Sequence, residues 1–164
     1  MIDQYIRQYG KRLYGLCLSL CANTFEADDL YQDTWLQVVK NISQYDPSRA
    51  FEPWLTKICV NTYRNTLRRI ARSPLLNFQT NAEKDAFLQS VPASEQPDYS
   101  PLYEAIDQLN EKLRLAVILF YFEGMDIAAT AQVLGIPEGT VKSRLNKARK
   151  LLKEVLDRET DLQF

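Results

Sequence analysis

No histidine occurs anywhere in the 164 residues. That removes the commonest general base, the commonest zinc ligand and every Ser-His or Cys-His nucleophile pair. Glycine is scarce at 5, which all but excludes Gly-rich phosphate loops. Cysteine is limited to Cys17, Cys21 and Cys59, an odd and small number that does not suggest a secreted disulfide scaffold. Cys17 and Cys21 share a helix face and could supply half a metal site, but a tetrahedral site needs two more soft ligands and one further cysteine exists. They are read as buried thiols acting as small hydrophobes in a reducing cytosol. Long apolar runs are missing too. The ten-residue stretch LYGLCLSLCA behind Lys11-Arg12 imitates a signal peptide, but it is too short for a bilayer, and Leu20 stands where a small residue should precede the cysteine. With Ile2, Ile6, Leu13 and Leu16 it reads as a core helix. No membrane insertion, metal, cofactor or small-molecule substrate is expected.

The remaining composition is ordinary: 46% hydrophobic, 25% charged, with 20 Lys+Arg against 21 Asp+Glu for a net charge of −1. The length has room for one compact domain or two small ones and not for a large α/β catalytic scaffold. The apolar spacing is helical throughout, and no strand-like alternation interrupts it. A first helix is expected over Ile2–Ala22. A second follows a cap at Asn23 or Thr24, its acids suiting the positive helix N-terminus and its apolar spacing running through Ala27, Leu30, Tyr31, Trp35, Val38 and Ile42. A turn-rich loop, Tyr45–Arg49, leads to a third helix from near Pro53 to Arg72.

Between Ser73 and Ser100 the periodicity dissolves into prolines, polar residues and four acids against one base, which reads as a flexible acidic linker with a short helix near Ala82–Gln89. Helix resumes with Ser100 as cap and Pro101 as first residue, giving Pro101–Gln108, Glu111–Phe122, Ile127–Leu134 and Pro137–Asp157. The expectation is all-α: a domain at 1–72, a linker at 73–100 and a second domain at 101–164.

The second domain has helix-turn-helix spacing. Ala131 is small where two helices cross, Gly135 can close a helix in the left-handed conformation, and Val141 anchors the next helix. On that helix Val141, Leu145, Ala148 and Leu152 form one stripe. Gly139, Ser143, Asn146, Lys147 and Lys150 lie opposite, flanked by Thr140, Lys142 and Arg144. Six cations (Lys142, Arg144, Lys147, Arg149, Lys150, Lys153) stand between Glu138 and Glu154. A charge run usually just solvates a helix, but one sign of charge beside a tight turn in an acidic protein suits a helix in the DNA major groove.

The third helix is a second basic surface. Lys57, Asn61, Arg64, Arg68 and Arg72 share a sector, Leu55, Ile58, Thr62 and Thr66 face the other way, and no acid intervenes. Tyr45, Phe51 and Trp54 place aromatic faces beside it, the usual means of holding unstacked bases. The run Glu26-Ala-Asp28-Asp29-Leu-Tyr-Gln32-Asp33 is acidic. It is unsuited to phosphate and offers carboxylates beside Tyr31 and Trp35 to a protein partner.

Taken together, EADDLYQDTWLQVVKNISQYDPSRAFEPWLTKICVNTYRNTLRR resembles the second conserved region of extracytoplasmic-function (ECF) sigma factors of bacterial RNA polymerase. LNEKLRLAVILFYFEGMDIAATAQVLGIPEGTVKSRLNKARKLL resembles their fourth. The resemblance implies that Asp28, Asp29, Gln32, Asp33 and Trp35 dock on the clamp helices of the polymerase core enzyme. It implies that the loop Tyr45, Asp46, Ser48, Arg49 and Phe51 holds a flipped base of the −10 element, with Lys57, Asn61, Arg64 and Arg68 on nearby promoter DNA. Lys142, Ser143 and Asn146 would reach base edges of the −35 element, with Thr140, Arg144, Lys147 and Arg149 near phosphates. The linker would thread the RNA path. The resemblance further implies an anti-sigma factor as a partner, a cytoplasmic location and the minimal two-domain type. The chain departs from the family at Asn110, often Pro, at Ala129-Thr130, often Glu-Ile, and at Asp126, where Ser or Thr commonly caps.

Two other readings compete. A stand-alone helix-turn-helix regulator would leave the basic third helix incidental and give DDLYQDTW no task. A small enzyme holding a metal on Asp28, Asp29 and Asp33 would lack histidine and a pocket-forming fold.

Overall fold

A computed structural model of the chain describes residues 2–72 and 100–162. These are helical and fall into two compact units. The expected linker, with its short helix near Ala82–Gln89, lies outside the described residues apart from Ser100.

The first unit holds α1 (Ile2–Leu20), α2 (Thr24–Asn41) and α3 (Phe51–Arg72). Helix α1 buries Leu13, Leu16, Cys17 and Leu20, the three-to-four spacing of an amphipathic core helix. It stops two residues short of the expected Ala22. Asn23 caps α2 there, its Oδ1 accepting the Glu26 N–H at 2.8 Å while the Glu26 carboxylate reaches back to the Ala22 N–H at 3.4 Å. Gly10 lets α2 approach, since an added Cβ would sit 2.9 Å from the Tyr31 hydroxyl. Helix α2 ends in a short 3₁₀ turn, Ile42–Gln44. Helix α3 then begins at Phe51, two residues before the expected start, so Pro53 lies within its first turn, where no N–H partner is needed. Its buried stripe is Leu55, Thr56, Cys59, Val60 and Tyr63. Ile58, Thr62 and Thr66, expected to face inward, are half-buried, and both threonine hydroxyls donate back to the carbonyl four residues earlier.

The second unit holds α4 (Ser100–Gln108), α5 (Glu111–Val117), α6 (Ile127–Leu134) and α7 (Glu138–Leu162). Helix α4 begins at Ser100, one residue ahead of the expected Pro101. Asn110 caps α5 by accepting the Leu113 N–H at 3.0 Å, and Asp126 caps α6 by accepting the Ala129 N–H at 2.7 Å. The helix expected to run unbroken over Glu111–Phe122 widens instead into a π-helical turn at Ile118–Phe122, closed by Glu123 N–H to the Ile118 carbonyl at 3.0 Å. Gly135 takes φ +68°, and Ile136 N–H bonds the Ala131 carbonyl at 3.1 Å. That closes α6 in the left-handed way glycine allows. Val141, Leu145 and Ala148 of α7 then pack on Ile106, Leu113, Ala116, Val117 and Ala131, with Leu152 at the edge. Pro137 stays outside α7; its carbonyl accepts the first N–H groups, from Thr140 and Val141.

Candidate nucleic-acid interface

In the second unit the inward stripe of α7 settles which residues point out. Lys142, Ser143, Asn146, Lys147, Arg149 and Lys150 are exposed, and Thr140 and Arg144 are half-exposed. The Ser143 hydroxyl donates to the Thr140 carbonyl at 3.1 Å. Arg149, expected beside phosphate, is turned sideways: its Nε donates to the Tyr121 hydroxyl at 2.6 Å and a terminal N–H to Asn146 Oδ1 at 3.1 Å. Tyr121 was absent from the sequence-derived site because an unbroken helix over Leu119–Phe122 gives it no distinct direction; the π turn provides one.

The first unit shows two chemically opposed faces. On α3, Lys57, Asn61 and Arg68 are exposed and Arg64 is half-buried. No carboxylate lies on this helix after Glu52, which pairs with Arg12 of α1. The loop ahead of it is already built. Ser48 donates to Asp46 Oδ1 through its N–H at 3.0 Å and its hydroxyl at 2.7 Å, and the Tyr45 hydroxyl bonds the Arg49 carbonyl. Those two hydrogen bonds from Ser48 hold the Asp46 carboxyl below the usual carboxylate range, with Arg49, 3.8 Å away, adding to the effect.

Tyr45 packs against Trp54 (ring centroids 5.0 Å apart) and edge-on to Phe51 (5.3 Å). Phe51, expected to offer a face to a base, is 4% exposed and stacks on Tyr5 at 4.1 Å. It is a floor for the aromatic cluster, and Tyr45 and Trp54, both half-exposed, are the rings of that cluster left facing solvent.

The acidic face lies on α2. Asp28, Asp29 and Gln32 are exposed and Asp33 half-exposed. Tyr14 of α1 donates to Asp28 Oδ1 at 2.7 Å, and this hydrogen bond to the carboxylate pushes the phenol up from its ordinary value. Trp35 does not belong to this face. It is 7% exposed and meets Tyr31 edge-on, because it sits four residues on from Tyr31 along the buried stripe. The apolar residues that do project are Phe25, Leu36 and Val39, at 71%, 58% and 51% exposure. With Asp29 and Gln32 they recur every three to four residues, so they form one line along the helix. The same three-to-four spacing is present in the sequence, interleaved with the buried stripe of Ala27, Leu30, Trp35 and Val38.

Among the described residues, no group of three or more acidic or cysteine side chains could hold a metal ion, so Asp28, Asp29 and Asp33 do not form one. No described helix is long and apolar enough to cross a membrane.

The described residues form two helical units, one carrying a helix-turn-helix and the other pairing a basic helix with an acidic one. Comparison with known proteins identifies both. Residues 5–73 match the Sigma-70 region 2 family and residues 99–152 match Sigma-70, region 4. ECF RNA polymerase sigma factor SigM of Mycobacterium tuberculosis is 31% identical over 157 residues, covering 94% of this chain and 76% of SigM. SigE of Mycolicibacterium smegmatis is 30% identical over 94% of this chain, which spans 61% of that relative's length. The sigma factor RpoE of Bartonella quintana, solved in complex with the anti-sigma factor NepR, shares the fold with a TM-score of 0.76 and 24% identity, over 94% of this chain and 96% of that one. The chain belongs to the ECF RNA polymerase sigma factor family.

Proposed function

We propose that the chain is a transcription initiation factor that brings bacterial RNA polymerase core enzyme to chosen promoters and assists their melting, catalysing nothing itself. The observation that carries this reading is the opposition of α2 and α3 within one small unit. An acidic line with exposed Leu36 and Val39 suits a protein partner with cations and an apolar seat, whereas the cationic line of α3 suits a strand. A stand-alone regulator, reading DNA through its helix-turn-helix, would leave both surfaces without a task.

In this reading Asp28, Asp29, Gln32 and Asp33 dock on core polymerase, with Leu36 and Val39 taking the anchoring part earlier assigned to Trp35. Tyr45, Asp46, Ser48 and Arg49 with Trp54 receive a base of the −10 element, and Lys57, Asn61, Arg64 and Arg68 guide the strand. Lys142, Ser143 and Asn146 read the −35 element, with Thr140, Arg144 and Lys147 near phosphates. The domains are 1–72 and 101–164, joined by 73–100. The place of work is the cytoplasm, where polymerase and promoters are. Membership of the family, and the anti-sigma partner of the similar RpoE, support a partner of that kind here, covering the surfaces meant for polymerase.

Run-off transcription with core polymerase on a pool of genomic promoter fragments tests the reading. Discrete, factor-dependent starts are expected. Sequence-specific binding to DNA without any effect on polymerase would favour the stand-alone regulator.

A further inference from the structure

We propose that Tyr121 and Arg149 are positioning residues that hold the Asn146 amide in one orientation, so that the base facing Asn146 is a purine or thymine and not cytosine. The inference rests on the reading that α7 enters the major groove.

The chemistry of the three side chains forces the direction. A guanidinium has only N–H donors, so the amide that meets it must present its oxygen. Arg149 meets Asn146 Oδ1 at 3.1 Å. The other branch of the amide, Nδ2, has no hydrogen-bond partner among the described residues and belongs to an exposed residue on the outward face of α7. Arg149 is itself held at its far end, where Nε donates to the Tyr121 hydroxyl at 2.6 Å and the guanidinium carbon lies 5.6 Å from the centre of the same ring. Tyr121 is in turn fixed by the π turn and by its edge-on contact with Phe120, which packs on the core of the unit. The line therefore runs from core to Phe120, Tyr121, Arg149 and Asn146.

A free asparagine can rotate its amide by a half turn and offer either a donor or an acceptor to a base. This one is held with N–H₂ toward the groove. Adenine N7, guanine N7 and O6, and thymine O4 are acceptors there, whereas cytosine shows its N4 donor. Cytosine opposite the fixed amide would set two donors face to face and leave both unmatched. The remaining N–H groups of Arg149 stay available to a phosphate, so the positioning role is compatible with backbone contact.

The test uses the full chain assembled with core RNA polymerase on a promoter library randomised across the upstream element, with transcript yield read per sequence. The wild type is expected to reject cytosine at one position, and Asn146→Ala to flatten that position. Tyr121→Phe and Arg149→Gln should each lose roughly two- to tenfold of the discrimination against cytosine at that position, with preferences elsewhere unchanged. Asn146→Asp, an acceptor without N–H groups, should turn the preference toward cytosine. Full wild-type rejection of cytosine in both Tyr121→Phe and Arg149→Gln, alongside a flattened Asn146→Ala, would overturn the positioning role while keeping Asn146 as a reader. A uniform loss across all sequences in those two variants would overturn it as well. An Asn146→Ala profile identical to wild type would instead remove the reading on which the proposal stands.

Discussion

The Sγ atoms of Cys17 and Cys59 lie 3.9 Å apart, wholly buried between α1 and α3. The contact with Cys59, followed by burial, pushes the Cys17 thiol well above its ordinary value. A raised folded pKa means that the stabilisation is complete below the pKa of the unfolded thiol, about 8.5, and is lost as pH rises beyond it. The first unit should therefore weaken on the alkaline side, on the order of 1 kcal/mol per pH unit for this group. Melting curves of wild type and Cys17→Ala between neutral pH and pH ~10 check this: the gap between them should narrow as pH rises. Iodoacetamide under native conditions should label the half-exposed Cys21 and spare Cys17 and Cys59 until denaturant is added.

Thr130 is buried in α6 with a hydroxyl that finds no hydrogen-bond partner. Val is the same shape without the polar atom, so Thr130→Val should stabilise the second unit by about 1 kcal/mol. A rise in the melting temperature of the fragment 100–164, with DNA binding unchanged, is the expected result. A fall would mean that the hydroxyl is satisfied in solution.

On α2, docking and core residues should separate cleanly. Asp29→Lys with Asp33→Lys, and independently Leu36→Lys, should abolish or strongly weaken co-purification with core polymerase while changing stability by no more than about 0.5 kcal/mol. Trp35→Ala should cost about 3–5 kcal/mol and be lost through unfolding. Thermal melts run beside the pull-downs distinguish the two. A stable Trp35→Ala that failed to bind would return Trp35 to the docking face.

The cationic surfaces should fail at different steps. Arg64→Glu with Arg68→Glu should leave polymerase binding intact and block strand opening, seen as loss of permanganate-reactive thymines near the start site. Lys147→Ala should weaken upstream binding on all sequences and lower the salt slope by about one, whereas Lys142→Ala should cost about 1–3 kcal/mol mainly on the preferred sequence. Equal losses on specific and scrambled DNA for both lysines would remove Lys142 from the base edges.

Most of this architecture is legible in the residues themselves. Asn23, Asp126 and Gly135 mark helix ends by local chemistry that no tertiary contact has to supply, and the structure uses each accordingly. The helical spacing of Val141, Leu145 and Ala148 by itself decides the outward face of α7. What escaped depends on contacts made at a distance. Phe51 looked like a loop aromatic because nothing local reveals the stacking of Tyr5 upon it. Trp35 belonged to the buried spacing, yet its neighbouring acids suggested a surface role. The π turn has no sequence mark, and with it went Tyr121 and the sideways course of Arg149.

The loop Tyr45–Arg49 ties itself together before any DNA arrives, through Asp46, Ser48 and the Tyr45 hydroxyl. Ordering one residue's backbone costs about 1–2 kcal/mol, so a loop that folded around its base would forfeit several kcal/mol of grip. Here that cost was met when the chain folded. In the proposed reading, capture of an unstacked base would be a docking onto a cradle already formed, with no loop-ordering cost left to meet on binding.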